Sequence, residues 1–176
     1  MRQDTISKTV TAELKETFDS MVRILADFKE QEINNRPFPG SWTAGQVARH
    51  IILSSAGLPD KNVVIAGRSY DQKVNSIRNL FLDFSQKFPA AKLIQPDEGP
   101  FDKEVLLTKL KANLDALIHV TQTRDLKALC PDVEVPGFGS LTRYEWLKLI
   151  VYHTQRHTQQ LRNIYVLLKN NSQRNH

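Results

Sequence analysis

The stretch LTRYEWLKLIVYHTQRHTQQLRNIYVLLK, residues 141–169, decides the fold. Trp146, Ile150, His153, His157, Leu161, Ile164 and Leu168 follow one another at steps of three or four residues. That spacing lays a single stripe along a helix. Thr142 and Glu145 stand three residues apart, the capping-box pattern that starts a helix. No glycine or proline interrupts residues 140–176. Two of the stripe positions are histidines, one turn apart on the same face, where leucines are expected.

Outward from this helix the same pattern repeats. Glycine and proline are also missing from residues 1–36, 68–88 and 101–130. Both residues break helices, so their clusters mark connections. Leu14, Phe18, Met21, Leu25 and Phe28 predict a first helix over about residues 5–33. Thr43 and Gln46 form a second capping box, opening a helix with Val47, His50, Ile51 and Ser54 on one side. Ile77, Phe81, Phe84 and Phe88 predict a short helix over about 72–88. Asp102 caps a further helix whose stripe is Leu106, Leu110, Leu114, Leu117 and Thr121.

Val63-Val64-Ile65 and Val133-Glu134-Val135 are β-prone, but too short to predict a sheet. The expected fold is all-α: four main helices in one bundle, with residues 58–100 as a long crossover carrying the short extra helix. One domain is expected over residues 1–176, with its core at about 5–168 and a polar, fraying tail at 169–176.

Composition narrows the function classes. The chain has 176 residues, 40% of them hydrophobic and 24% charged, with a net charge of +5. Basic and acidic residues are interspersed, so nucleic acid is not expected as the main partner. No apolar run approaches the ~20 residues that span a bilayer, and no secretory leader is visible at the start. The lone Cys130 leaves no intrachain disulfide and no Cys-rich zinc site, and no pattern of basic residues marks it as reactive. A cytoplasmic protein without a membrane partner is expected.

The histidines carry the chemical signal. His50, His153 and His157 all fall on core-facing stripes. His50 lies about 10 Å along its helix and the pair about 20 Å along theirs, each near the middle. They can therefore meet whether the two helices run parallel or antiparallel. Three charged imidazoles cannot share a dry core. One divalent transition metal resolves the conflict, with neutral imidazoles as ligands and its remaining positions open to water or substrate. The competing expectation is three hydrogen-bonded structural histidines that bind nothing. His119 has Asp115 and Gln122 as helical neighbours and should face water; His176 is terminal.

Gln46 and Gln160 are candidates to line the site or orient a ligand. Arg156 is a candidate contact for an anionic substrate, or equally a partner for a surface acid. Trp42 precedes the Thr43 cap and is expected to pack as an apolar staple. There is no phosphate-binding glycine loop, no His-Glu-x-x-His motif and no Glu-x-x-His pair of the di-iron bundles.

These residues carry a resemblance. PGSWTAGQVARH (39–50), NLFLDFSQKFPAAKLIQP (79–96) and PGFGSLTRYEWLKLIVYHTQRHTQQL (136–161) resemble the DinB/YfiT-like family of metal-binding four-helix bundles. The resemblance runs from about residue 5 to 168. It implies an up-down-down-up bundle, often a homodimer, with zinc or nickel held by His50, His153 and His157. An exposed apolar face of the first helix is the candidate dimer surface. Some relatives are transferases or isomerases that use a low-molecular-weight thiol. The expected function is thus a metal-dependent enzyme acting on a small molecule, either a thiol-dependent S-transferase for small electrophiles or a hydrolase, with catalytic residues beyond the ligands unassigned. The alternative is a non-catalytic metal- or ligand-binding bundle with a stress-related or regulatory role.

Overall fold

A computed structural model describes residues 3–87 and 89–174. The described chain is mostly helical, with a small two-stranded sheet. Its α-helices are α1 (Gln3–Ala26), α2 (Ala44–Ser54), α3 (Val74–Leu82), α4 (Lys103–Thr123) and α5 (Arg143–Arg174). The strands are β1 (Leu129–Val135) and β2 (Gly139–Thr142). None of these helices is long and apolar enough to cross a membrane.

The helix starts follow the caps in the sequence. Thr43 Oγ1 accepts the Gln46 N–H and Gln46 Oε1 accepts the Thr43 N–H, both at 3.1 Å. Thr142 and Glu145 reciprocate in the same way at the start of α5. Asp102 accepts the Val105 N–H at 2.9 Å and opens α4. These side chains satisfy N–H groups that no helical carbonyl can reach.

Contacts fix how the helices run. Thr11 meets Thr121 while Lys103 reaches the Phe28 carbonyl, so α1 and α4 are antiparallel. Glu13, Thr17 and Ser20 meet Lys148, Gln155 and Arg162 in order, so α1 and α5 are parallel. Asn113 of α4 donates to the Ile52 carbonyl at the end of α2, and the Phe101 ring sits against Gly45 at its start. Those two helices therefore run parallel. A Cβ at residue 45 would stand 2.6 Å from the Phe101 ring, so only glycine admits this approach without displacing the ring. Leu14, Phe18, Met21, Val47, Ile51, Leu110, Leu117 and Leu161 form the buried centre.

Three expectations change. The first helix stops at Ala26 rather than near 33, because the Glu32 carboxylate takes the Lys29 N–H and starts a separate 3-10 turn at Glu30–Asn34. The short helix stops at Leu82. Asp83 draws the Ser85 N–H and hydroxyl and the Gln86 amide into a local turn that competes with the helix. Phe84 is consequently 56% exposed, and Phe88 lies outside the described residues. Val133-Glu134-Val135 does build a strand. Pro136 and Gly137 turn the chain, with Gly137 at φ +80° and the Phe138 N–H bonded to the Val135 carbonyl. That turn brings Gly139–Thr142 alongside as β2, and Val64 bridges to Leu129 on the other edge of β1. The stripe of α1 is buried inside the chain's own core.

The tail is helical to Arg174; His176 lies outside the described residues. His119 is exposed, as its neighbours suggest. Cys130 is buried in β1, and burial pushes its thiol up to about 11, so little thiolate forms near neutrality.

Candidate metal centre

The three stripe histidines meet. α2 runs against α5, so Ser54 near its end reaches His153 while Trp42 before its start faces His157. His50 Nε2 lies 3.0 Å from His153 Nε2, and His157 Nε2 lies 3.1 Å from the same atom. All three can offer one ligand atom within 4.8 Å of the others. His50 is 2% exposed and His153 9%.

The outer nitrogens explain the orientation. His50 Nδ1–H donates to the Ile94 carbonyl at 2.6 Å. His157 Nδ1–H donates to Gln160 Oε1 at 2.7 Å. Both acceptors lack a proton to give, so both rings carry hydrogen on Nδ1 and a bare lone pair on Nε2. Those two lone pairs face His153 Nε2. That ring can place a proton there and satisfy one of them, or carry it on Nδ1 toward Ser54 Oγ at 3.3 Å and satisfy neither. At least one buried lone pair is left without a donor. A cation shared by three lone pairs removes the deficit. Two nitrogens on one zinc ion lie about 2.9–3.3 Å apart for angles between square and tetrahedral. The two separations to His153 fit that donor set.

Electrostatics favour the neutral state that ligands need. Burial lowers the His50 pKa, partly offset by the bond to Ile94. Burial holds His153 well below the usual imidazole value, helped by the charges of His157, His50 and Arg156. Burial and the charge of His50 bring His157 to about 3. With folded values below the unfolded 6.5, the unfolded chain binds more protons between about pH 3 and 6.5. The metal-free protein should therefore be most stable above that window and lose stability as pH falls through it. Urea midpoints at about pH 7.5 and about pH 5, in chelator, check the sign.

The remaining candidates separate. Gln160 supports His157 directly. Gln46 does not join the cluster: its oxygen completes the Thr43 cap, and its amide donates to the Asp97 carbonyl. Arg156 turns its N–H groups from the histidines, although its charge reaches them. It donates to the carbonyls of Phe81 at 3.1 Å, Asp83 at 2.9 Å and Gln86, closing the end of α3. A surface acid is also in its surroundings: bonds from Ser85 and Gln86, and with them the charge of Arg156, hold the Asp83 carboxyl below its ordinary value.

Sequence reasoning missed three contributors. Trp42 is more than a staple, since its ring lies 5.1 Å from His50 and stacks at 6.2 Å on His157. Phe81 packs edge-on to His153 at 5.5 Å. The Ile94 carbonyl belongs to a strap, residues 89–98, bound to α2 through Arg49–Asp97 and to the preceding loop through Arg36–Glu98. A signal for Trp42 was present, because it lies two turns before His50 on the same segment. A backbone carbonyl leaves none.

A cavity of about 680 Å³ lies elsewhere, lined by residues including Val63, Ile65, Arg68, Tyr70 and Arg143. Its arginines are committed to Glu145 and Asp60, and none of the three histidines lines it.

Comparison with known proteins gives one match. The sequence model of the DinB superfamily matches residues 13–161, a span that holds all three histidines. No curated protein and no solved structure matches the chain.

Proposed function

The chain belongs to the DinB superfamily, and from that premise we propose that it is a metal-dependent S-transferase. In this reading His50, His153 and His157 hold one divalent transition ion, zinc or nickel. The observation that carries it is the convergence of three Nε2 atoms whose outer nitrogens are spoken for.

Three neutral ligands leave the ion's charge uncompensated, which favours an anionic ligand from outside the protein. When bound, the ion would lower the pKa of a low-molecular-weight thiol so that thiolate forms near neutral pH. Sulfur then attacks an electrophilic carbon of a small molecule: an S–C bond forms, the leaving group departs with its electron pair, and the thiol proton passes to water. The chain's own residues hold the geometry. Ile94, Gln160 and Ser54 fix the three rings through their Nδ1 atoms, and Trp42 and Phe81 keep the surroundings apolar. Among the described residues the cluster contains no carboxylate, so it offers no acid to act as a base on water, and transfer is preferred to hydrolysis.

The proposal extends to an up-down-down-up four-helix bundle, which the antiparallel α1–α4 and parallel α1–α5 contacts support. A homodimer in the cytoplasm completes it, on the resemblance and on the single unpaired cysteine.

The test is metal content by mass spectrometry on untagged protein, followed by conjugation of a thiol panel to a chromogenic electrophile with and without chelator. About one ion per chain and chelator-sensitive conjugation are expected. Protein that stays empty after incubation with zinc and nickel would sink the metal reading. Metal without conjugation by any thiol would leave a metal-binding protein and end the transferase reading.

Gln160→Ala should weaken metal binding by about 10- to 100-fold, since the imidazole loses the acceptor that sets its tautomer. Gln160→Glu should restore most of it. Competition with a chromogenic chelator measures both.

A further inference from the structure

Resting on the metal reading, we infer that the ion's remaining positions accept a ligand whose body, beyond the atom that meets the ion, is aromatic or aliphatic and is held by Trp42 and Phe81, and that an anionic tail on that body is disfavoured.

Two observations carry this. The first is what the imidazoles touch. Beyond one another, their ring partners among the described residues are Trp42, at 5.1 Å from His50 and 6.2 Å from His157, and Phe81, at 5.5 Å from His153. A ligand at the point where the three Nε2 atoms converge therefore comes within reach of two large apolar rings from opposite segments of the chain. Further apolar groups stand open nearby in sequence: Phe38 in the loop before Trp42, Phe84 just past α3, and Leu93 beside Ile94.

The second is where the positive charge goes. An anionic tail that does not itself meet the ion needs a cation of its own. The arginines of these segments are turned to other work. Arg156 gives its N–H groups to the carbonyls of Phe81, Asp83 and Gln86. Arg49 is paired with Asp97 and Arg36 with Glu98. An anionic tail would have to break one of these sets, while an apolar tail meets rings already in place.

The test uses the full chain loaded with cobalt(II), whose visible absorption reports ligands on the ion. Three probes share one donor: imidazole, 4-phenylimidazole and 4-(imidazol-4-yl)benzoate. The phenyl compound should bind about tenfold more tightly than imidazole, and its carboxylate should cancel that gain. Trp42→Ala and Phe81→Ala should each cut the gain to about threefold or less at unchanged cobalt stoichiometry. Trp42→Phe, which keeps a ring, should retain part of it and guards against a variant that folds poorly. Equal binding of imidazole and its phenyl derivative, tighter binding of the benzoate, or an undiminished gain in both alanine variants would each overturn the inference. Cobalt that fails to bind at one ion per chain would overturn the metal reading as well, and the stoichiometry shows which has failed.

Discussion

His153→Leu is expected to abolish metal uptake and, in metal-free protein, to lower the unfolding temperature. His153 is central to the cluster, because its Nε2 is the atom that both other rings approach. Without it the facing helices offer only His50 and His157, too few ligands for a stable site. The loss of stability has a separate cause. Without the His153 ring the bare Nε2 lone pairs of His50 and His157 both lack a donor, where one of them had a partner before, a cost of about 1–3 kcal/mol. Leucine is similar in size and suits a position already lined by Phe81, but it donates no hydrogen bond. That cost should lower the melting temperature by roughly 2–10 °C for a chain of this size. Melts in chelator, together with metal analysis, read both effects. Three histidines kept for structural hydrogen bonds alone would give the same earlier melt, but with no metal on the parent protein for the variant to lose.

Glu145→Ala is expected to destabilise the fold by about 3–5 kcal/mol, although Glu145 takes no part in the candidate centre. Its side chain is fully buried. Its carboxylate accepts both Arg68 Nη1 at 2.7 Å and Nη2 at 2.6 Å, the Lys73 N–H at 2.8 Å and the Thr142 N–H at 3.0 Å. One residue thus caps α5, fixes the start of α3 and neutralises an arginine from the crossover. Alanine strands the guanidinium and two backbone donors together. Denaturant unfolding should show the loss, and a cost below about 1 kcal/mol would contradict this account of the junction. Arg68→Ala combined with Glu145→Ala should cost less than the sum of the single changes, since the second removes a charge already stranded by the first.

Much of the helical reading was legible because it rests on local chemistry. The Thr43–Gln46 and Thr142–Glu145 pairs and Asp102 are caps that act within four residues. His50, His153 and His157 stood out because a core stripe specifies what should occupy it. What escaped depends on partners distant in sequence or on rival local bonds. Asp83 ends α3 by capturing Ser85 and Gln86, and Glu32 does the same to the chain after α1. The hairpin was hidden because its strands are short, β1 is mostly exposed, and the pairing is irregular between Cys130 and Glu134. Arg156 looked like a site residue from its place between two histidines, yet it turns to carbonyls more than 70 positions away.

The bond from His50 to the Ile94 carbonyl sets different rules for inheritance at the two ends of the centre. A main-chain acceptor survives almost any change of side chain. Ile94→Ala should therefore leave metal affinity within about threefold of the parent, where loss of the Gln160 side chain should not. Residues 89–93 can accumulate substitutions freely so long as their number stays fixed. Deleting one of them would draw the carbonyl off the His50 ring and uncouple it from the cluster. At this end of the site, selection is expected to act on the length of a segment; at the Gln160 end, it acts on the identity of a residue.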